Sequence, residues 1–95
     1  MKRQGDLLIK PIDQLPKGLK KVMSGVILRG EATGHAHRLS GGSLLSDGTN
    51  MYLSVENVAQ ILHEEHKPIS LSKGSYAVIR QREYLSSDMT KVVVD

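Results

Sequence analysis

The residues best equipped for chemistry are four histidines that fall as two close pairs, in Gly34-His35-Ala36-His37 and His63-Glu64-Glu65-His66. On an extended strand, residues i and i+2 point to one side with side chains about 6–7 Å apart. Two imidazoles so placed can converge on one ion, with Zn–N near ~2.0–2.1 Å. The second pair shares one face of a helical turn, or converges where a strand bends ahead of Pro68. His35, His37, His63 and His66 are therefore the candidate metal ligands. Glu64 and Glu65 beside them are candidate carboxylate ligands, or the general base acting on a metal-bound water. Nitrogen and oxygen donors without sulfur suit zinc, iron or another divalent transition metal. Three protein ligands and an open position would support catalysis, whereas four would make a structural site. The competing reading is plain: a lone HxH on a strand, or a lone HxxH, is more often a hydrogen-bonded or solvated pair. What sets these pairs apart is that the chain has no other histidine. The spacing of His63 and His66 is one residue short of the HExxH arrangement.

The elements that must position these residues are those of one small domain, residues 1–95. Ninety-five residues leave no room for a second domain. A chain of this size buries about 60–65% of its extended surface. Its core must be aliphatic, because Tyr52, Tyr76 and Tyr84 are the only aromatics and Phe and Trp are absent. The absence of cysteine excludes disulfides, thiolate catalysis, iron–sulfur clusters and zinc-finger patterns built on sulfur. No apolar run reaches the length of a membrane span, and the Met1–Asp6 stretch lacks the apolar core of a signal peptide. The expected location is the cytoplasm, or the virion if the chain is phage-borne.

Thirteen basic against ten acidic residues give a net charge of +3. That excess is mild for a phosphate-binding surface, and three tyrosines make a poor stacking platform. Lys17, Lys20 and Lys21, and Arg80 with Arg82, read as solvated faces, so nucleic acid is a minority reading.

Along the chain, strand signals dominate. Residues 6–12 form a short β-like segment that Pro11 ends or confines to an edge. Residues 25–30 are rich in β-branched side chains, and alternation in 35–39 puts His35, His37 and Leu39 on one face. Asp47-Gly48-Thr49-Asn50 separates Leu44-Leu45-Ser46 from Met51–Val55, the mark of a hairpin. Residues 56–66 fit a helix bearing Val58, Ile61 and Leu62, or a strand facing Ala59, Ile61 and His63 one way. The preceding hairpin and the following Lys67-Pro68 favour the strand. Residues 68–76 read as a short strand, a turn at Gly74 and the start of the next strand. Ser86-Ser87-Asp88 could cap one helical turn, and residues 91–95 are a terminal strand candidate. Many short strands with regular turn signals predict an all-β fold, a small β-barrel or sandwich of jelly-roll type, with one short helix at most.

The HxH, a later histidine and the segment His66–Tyr76 resemble the metal-bearing motifs of cupins. That resemblance implies a small jelly roll in which His35, His37 and either His63 or His66 hold iron, manganese or a similar ion. The family pattern has a glutamate soon after the HxH, whereas residues 38–50 carry Asp47 as their only acid. A second resemblance covers nearly the whole chain. Arg3-Gln4-Gly5-Asp6, the Gly-His-x-His segment, His63-Glu64-Glu65-His66 and Arg80-Gln81-Arg82-Glu83-Tyr84 are similar, in that order, to small uncharacterised bacterial and phage proteins. It implies a family and no activity.

These observations point to a small β binding or structural module, stabilised by a histidine-bound metal ion and working through a protein partner or self-association. Leu7-Leu8-Ile9 and Val92-Val93-Val94 are the candidate open edges. The alternatives are a cupin-like metalloenzyme and a metal-free phage or bacterial assembly or decoration subunit. The enzyme reading is the poorer, because no Ser-His-Asp set or phosphate-cradling glycine loop is present.

Overall fold

A computed structural model of the chain describes residues 1–29 and 36–80. Eight strands account for the regular structure: β1 (Lys2–Gln4), β2 (Leu7–Ile12), β3 (Lys20–Lys21), β4 (Val26–Arg29), β5 (Ala36–Ser40), β6 (Ser43–Ser46), β7 (Met51–Leu62) and β8 (Ile69–Arg80). The fold is all-β, and no helix occurs among the described residues. None is therefore long and apolar enough to cross a membrane. The expected helical turn at residues 86–88 and the terminal strand at 91–95 lie outside the described residues.

The strands form one antiparallel sheet in the order β1-β2-β8-β7-β5-β4. The long strand β7 pairs with β8 on one side along its length. On its other side it pairs first with β6 and then with β5. Alternation along β7 explains this central position: Leu53, Val55, Ala59 and Ile61 are buried, while Glu56, Val58, Gln60 and Leu62 are exposed. Residues 56–62 are thus a strand, as the flanking hairpin and Pro68 require. That hairpin is the expected one, with Asp47 Oδ1 accepting the N–H groups of Thr49 (2.9 Å) and Asn50 (2.7 Å). These backbone donors, Asn50 first, hold the Asp47 carboxyl below its usual range.

Two expectations are corrected. Residues 69–80 make one continuous strand, with no turn at Gly74. Gly74 instead pairs with Val55, beside a point where Glu56 and Asn57 oppose the single residue Lys73. The irregularity that glycine marks is this bulge, which bends the strand without ending it. The second correction concerns Leu7-Leu8-Ile9, which is not an edge but lies between β1 and β8. Pro11 keeps its expected edge role, since β1 reaches only to Ile9 and, among the described residues, no strand pairs with the outer side of Pro11.

The sheet is not closed into a barrel by backbone pairing among the described residues. It curls far enough to enclose an aliphatic core of Leu7, Ile9, Ile27, Leu44, Leu53, Val55, Ala59, Ile61, Ile69 and Leu71, with Tyr76. Ile27 of β4 and Leu7 of β2, far apart in strand order, line one shallow cavity with Met51 and Val78. Tyr76 satisfies its hydroxyl by donating to Ser72 O at 2.7 Å.

Candidate functional site

The curl of the sheet brings the N-terminal hairpin over the far end of β5 and β7. Gly5 and Asp6 make the two-residue connection between Gln4 and Leu7. Gly5 has φ +62, and among the described residues only glycines have positive φ. A glycine in the left-handed region at the first central position is the signature of a type II′ hairpin.

Gln4 points inward from β1 and is only 2% exposed. Its Nε2 donates to Ile61 O at 2.9 Å and to Lys67 O at 2.8 Å. Its Oε1 lies 2.8 Å from His37 Nδ1. Because the amide nitrogen is identified by its two carbonyl partners, Oε1 must be the acceptor and His37 Nδ1 the donor. Neutral His37 therefore carries its proton on Nδ1 and presents a lone pair at Nε2, 3.9 Å from Asp6 Oδ1.

His63 and His66 complete a cluster. His63 continues the inward parity of Ala59 and Ile61 past the end of β7, and its ring centroid lies 4.5 Å from that of His37. The His66 centroid is 4.6 Å from His63 and 6.4 Å from His37, its ring almost parallel to the latter. The bend is held by His63 Nδ1, which accepts the N–H groups of Glu65 at 3.0 Å and His66 at 3.4 Å. Glu64 Oε1 accepts the Ala36 N–H at 3.0 Å and ties the bend to β5. Burial lowers the pKa of His37, with His63 the next cause; Asp6, His66 and Glu64 act less strongly, the two carboxylates raising it. The buried ring is thereby held neutral.

Three of the four histidines thus meet, although they come from separate parts of the chain. His35 lies outside the described residues. In the present side-chain positions, no group of three His, Asp or Glu side chains among the described residues is arranged to hold a metal ion. Gln4, Gly5 and Asp6 were not read from sequence as parts of the site. The signal available was the Gly-Asp pair between Arg3-Gln4 and Leu7-Leu8, which marks a tight hairpin and so an additional strand.

Residues 3–81 match the model of a domain family of unknown function, DUF8820. The chain belongs to that family. No curated protein and no solved structure matches it. The DUF8820 match begins at Arg3 and spans Gln4, Gly5, Asp6, His37, His63 and His66, the whole of the cluster. It agrees with the resemblance to an uncharacterised family, while the resemblance to cupins has no counterpart in these comparisons.

Proposed function

We propose that this DUF8820 domain is a small β binding or structural module that acts through protein contact and carries out no catalysis. The supporting observation is that Glu64 and His63, two of the groups the sequence nominates for chemistry, bond to the backbone. Glu64 Oε1 accepts a backbone N–H of β5, and His63 Nδ1 accepts those of its own bend. Gln4, buried beside His37, bonds through both ends of its amide. A general base must be able to reach a substrate and exchange a proton, and these groups face the backbone instead.

A sheet that is not closed leaves strand edges. Among the described residues the outer sides of β1 and β4 have no strand partner. β1 is three residues long and bears Lys2 and Arg3, charges that discourage strand addition. β4, Val26–Arg29, begins with three apolar residues and is the better edge for a second copy of the chain. Sedimentation velocity of the full chain tests this reading. The expected result is a species larger than the 10.4 kDa monomer, reduced to monomer by Val26→Lys. A monomer at every concentration, or an oligomer indifferent to Val26→Lys, rejects assembly through this edge.

A further inference from the structure

We propose that the cluster of donors against the Gly5–Asp6 turn is a site for one divalent transition-metal ion of the zinc class, ligated by His37 Nε2, His66 Nε2 and the Asp6 carboxylate. The proposal is independent of the assembly reading. It assigns the metal to a different set from the four histidines, because it draws on the tautomers and on the turn that covers them.

Three observations carry it. First, His37 is oriented as a metal ligand needs to be: Nδ1–H is anchored on Gln4 Oε1 at 2.8 Å, and Nε2 faces the Asp6 carboxylate. A ligating histidine almost always donates its other ring N–H to such an outer partner. Second, the donor spacing is close to what an ion requires. Two donors on a tetrahedral ion at about 2.0–2.1 Å lie about 3.3 Å apart, and Nε2 and Oδ1 are 3.9 Å apart. Two imidazoles bound to one such ion have centroids about 5.2 Å apart, against 6.4 Å for His37 and His66. His66 is exposed on the bend, so a change in its side-chain torsions can close that gap. Third, the turn closes directly over the donors. A Cβ on Gly5 would stand 2.9 Å from His66 Nε2 and 3.6 Å from His37 Cε1, so both rings face the bare glycine.

His63 is excluded as a ligand by its hydrogen bonds. Its Nδ1 accepts backbone N–H groups, so in the neutral ring the proton resides on Nε2. Packed against both other rings, it serves as a wall. Two imidazoles and one carboxylate leave a further position for water. The ligands come from the hairpin turn, β5 and the bend, so the ion would join three chain-distant segments.

The test uses the full chain without a polyhistidine tag, stripped with chelator and titrated with Zn²⁺ and Co²⁺. The expected result is uptake of one ion per chain, a rise in Tm and the intense visible absorption of four-coordinate Co²⁺. Asp6→Asn and His66→Gln should each weaken Zn²⁺ binding by at least roughly 10- to 100-fold. Both residues are outside the core, and the Tm of the metal-free variants should stay near that of the parent. No Zn²⁺ uptake with an unchanged Tm overturns the proposal. So does Zn²⁺ binding that neither substitution weakens, which would place the ion elsewhere.

Discussion

Gln4 and His37, 33 residues apart, are joined by a buried 2.8 Å hydrogen bond between Oε1 and Nδ1. The bond links β1, at one end of the strand order, to β5, near the other. A curl that backbone pairing leaves open is thus clasped by one side chain, whose amide also donates to Ile61 O and Lys67 O.

Replacing Gln4 with Met keeps its approximate shape and removes every one of these bonds. The Ile61 carbonyl and the His37 Nδ1–H would be left in a buried setting, at about 1–3 kcal/mol for each group without a partner. Gln4→Met is therefore expected to lower unfolding free energy by about 2–4 kcal/mol, read from urea denaturation. A loss below about 1 kcal/mol would mean that the clasp contributes little.

Gly5 and Gly18 offer a matched pair. Both have positive φ, +62 and +80, but a Cβ would meet His66 at Gly5 and nothing within 4 Å at Gly18. Gly18→Ala should cost about 1–2 kcal/mol for the left-handed backbone alone. Gly5→Ala should cost about 1 kcal/mol more, because the His66 ring must move. In a His66→Ala background that excess should disappear, and a double-mutant cycle of unfolding free energies measures it.

The lowered pKa of His37 makes metal-free stability depend on pH with a definite sign. Below the ordinary value of 6.5 the unfolded chain takes up a proton that folded His37 resists. The contribution is complete above 6.5 and is lost as pH falls from there toward the depressed folded value. His63 and His66 deepen the effect, and Asp6 and Glu64 oppose it. Chelator-treated protein should accordingly show a lower urea midpoint at about pH 5 than at about pH 7.5. Asp6→Asn should steepen the fall by removing a carboxylate that favours the proton.

Strand β7 predicts unequal costs at residues that a helix would place together. Ile61 is fully buried, whereas Val58 is 65% and Leu62 38% exposed. Ile61→Ala should cost about 2–5 kcal/mol. Val58→Ala and Leu62→Ala should each cost less than about 1 kcal/mol. Comparable losses at all three, measured by thermal or urea unfolding, would contradict the strand register.

How much of this was legible in sequence follows from the range of the interactions involved. Alternation at Leu53, Val55, Ala59 and Ile61, the Asp47-Gly48 turn and the stop at Pro68 are local, acting over a few residues. They determined an all-β chain and placed most of its strands. The bulge opposite Lys73 was less visible, since a glycine is compatible with either a turn or an irregular pairing. Composition alone made the core aliphatic and removed thiolate from the possible metal donors. The tertiary structure decided which histidines meet and what they meet. His37 and His63 approach because β5 pairs with the end of β7, and Gln4 reaches His37 and the Ile61 carbonyl because the sheet curls. These contacts span 26 to 57 residues of chain and depend on strand order, which no local pattern encodes. The two histidine pairs were evident from sequence; the glutamine, glycine and aspartate that lie against His37 and His66 became part of the site only when the hairpin folded over it.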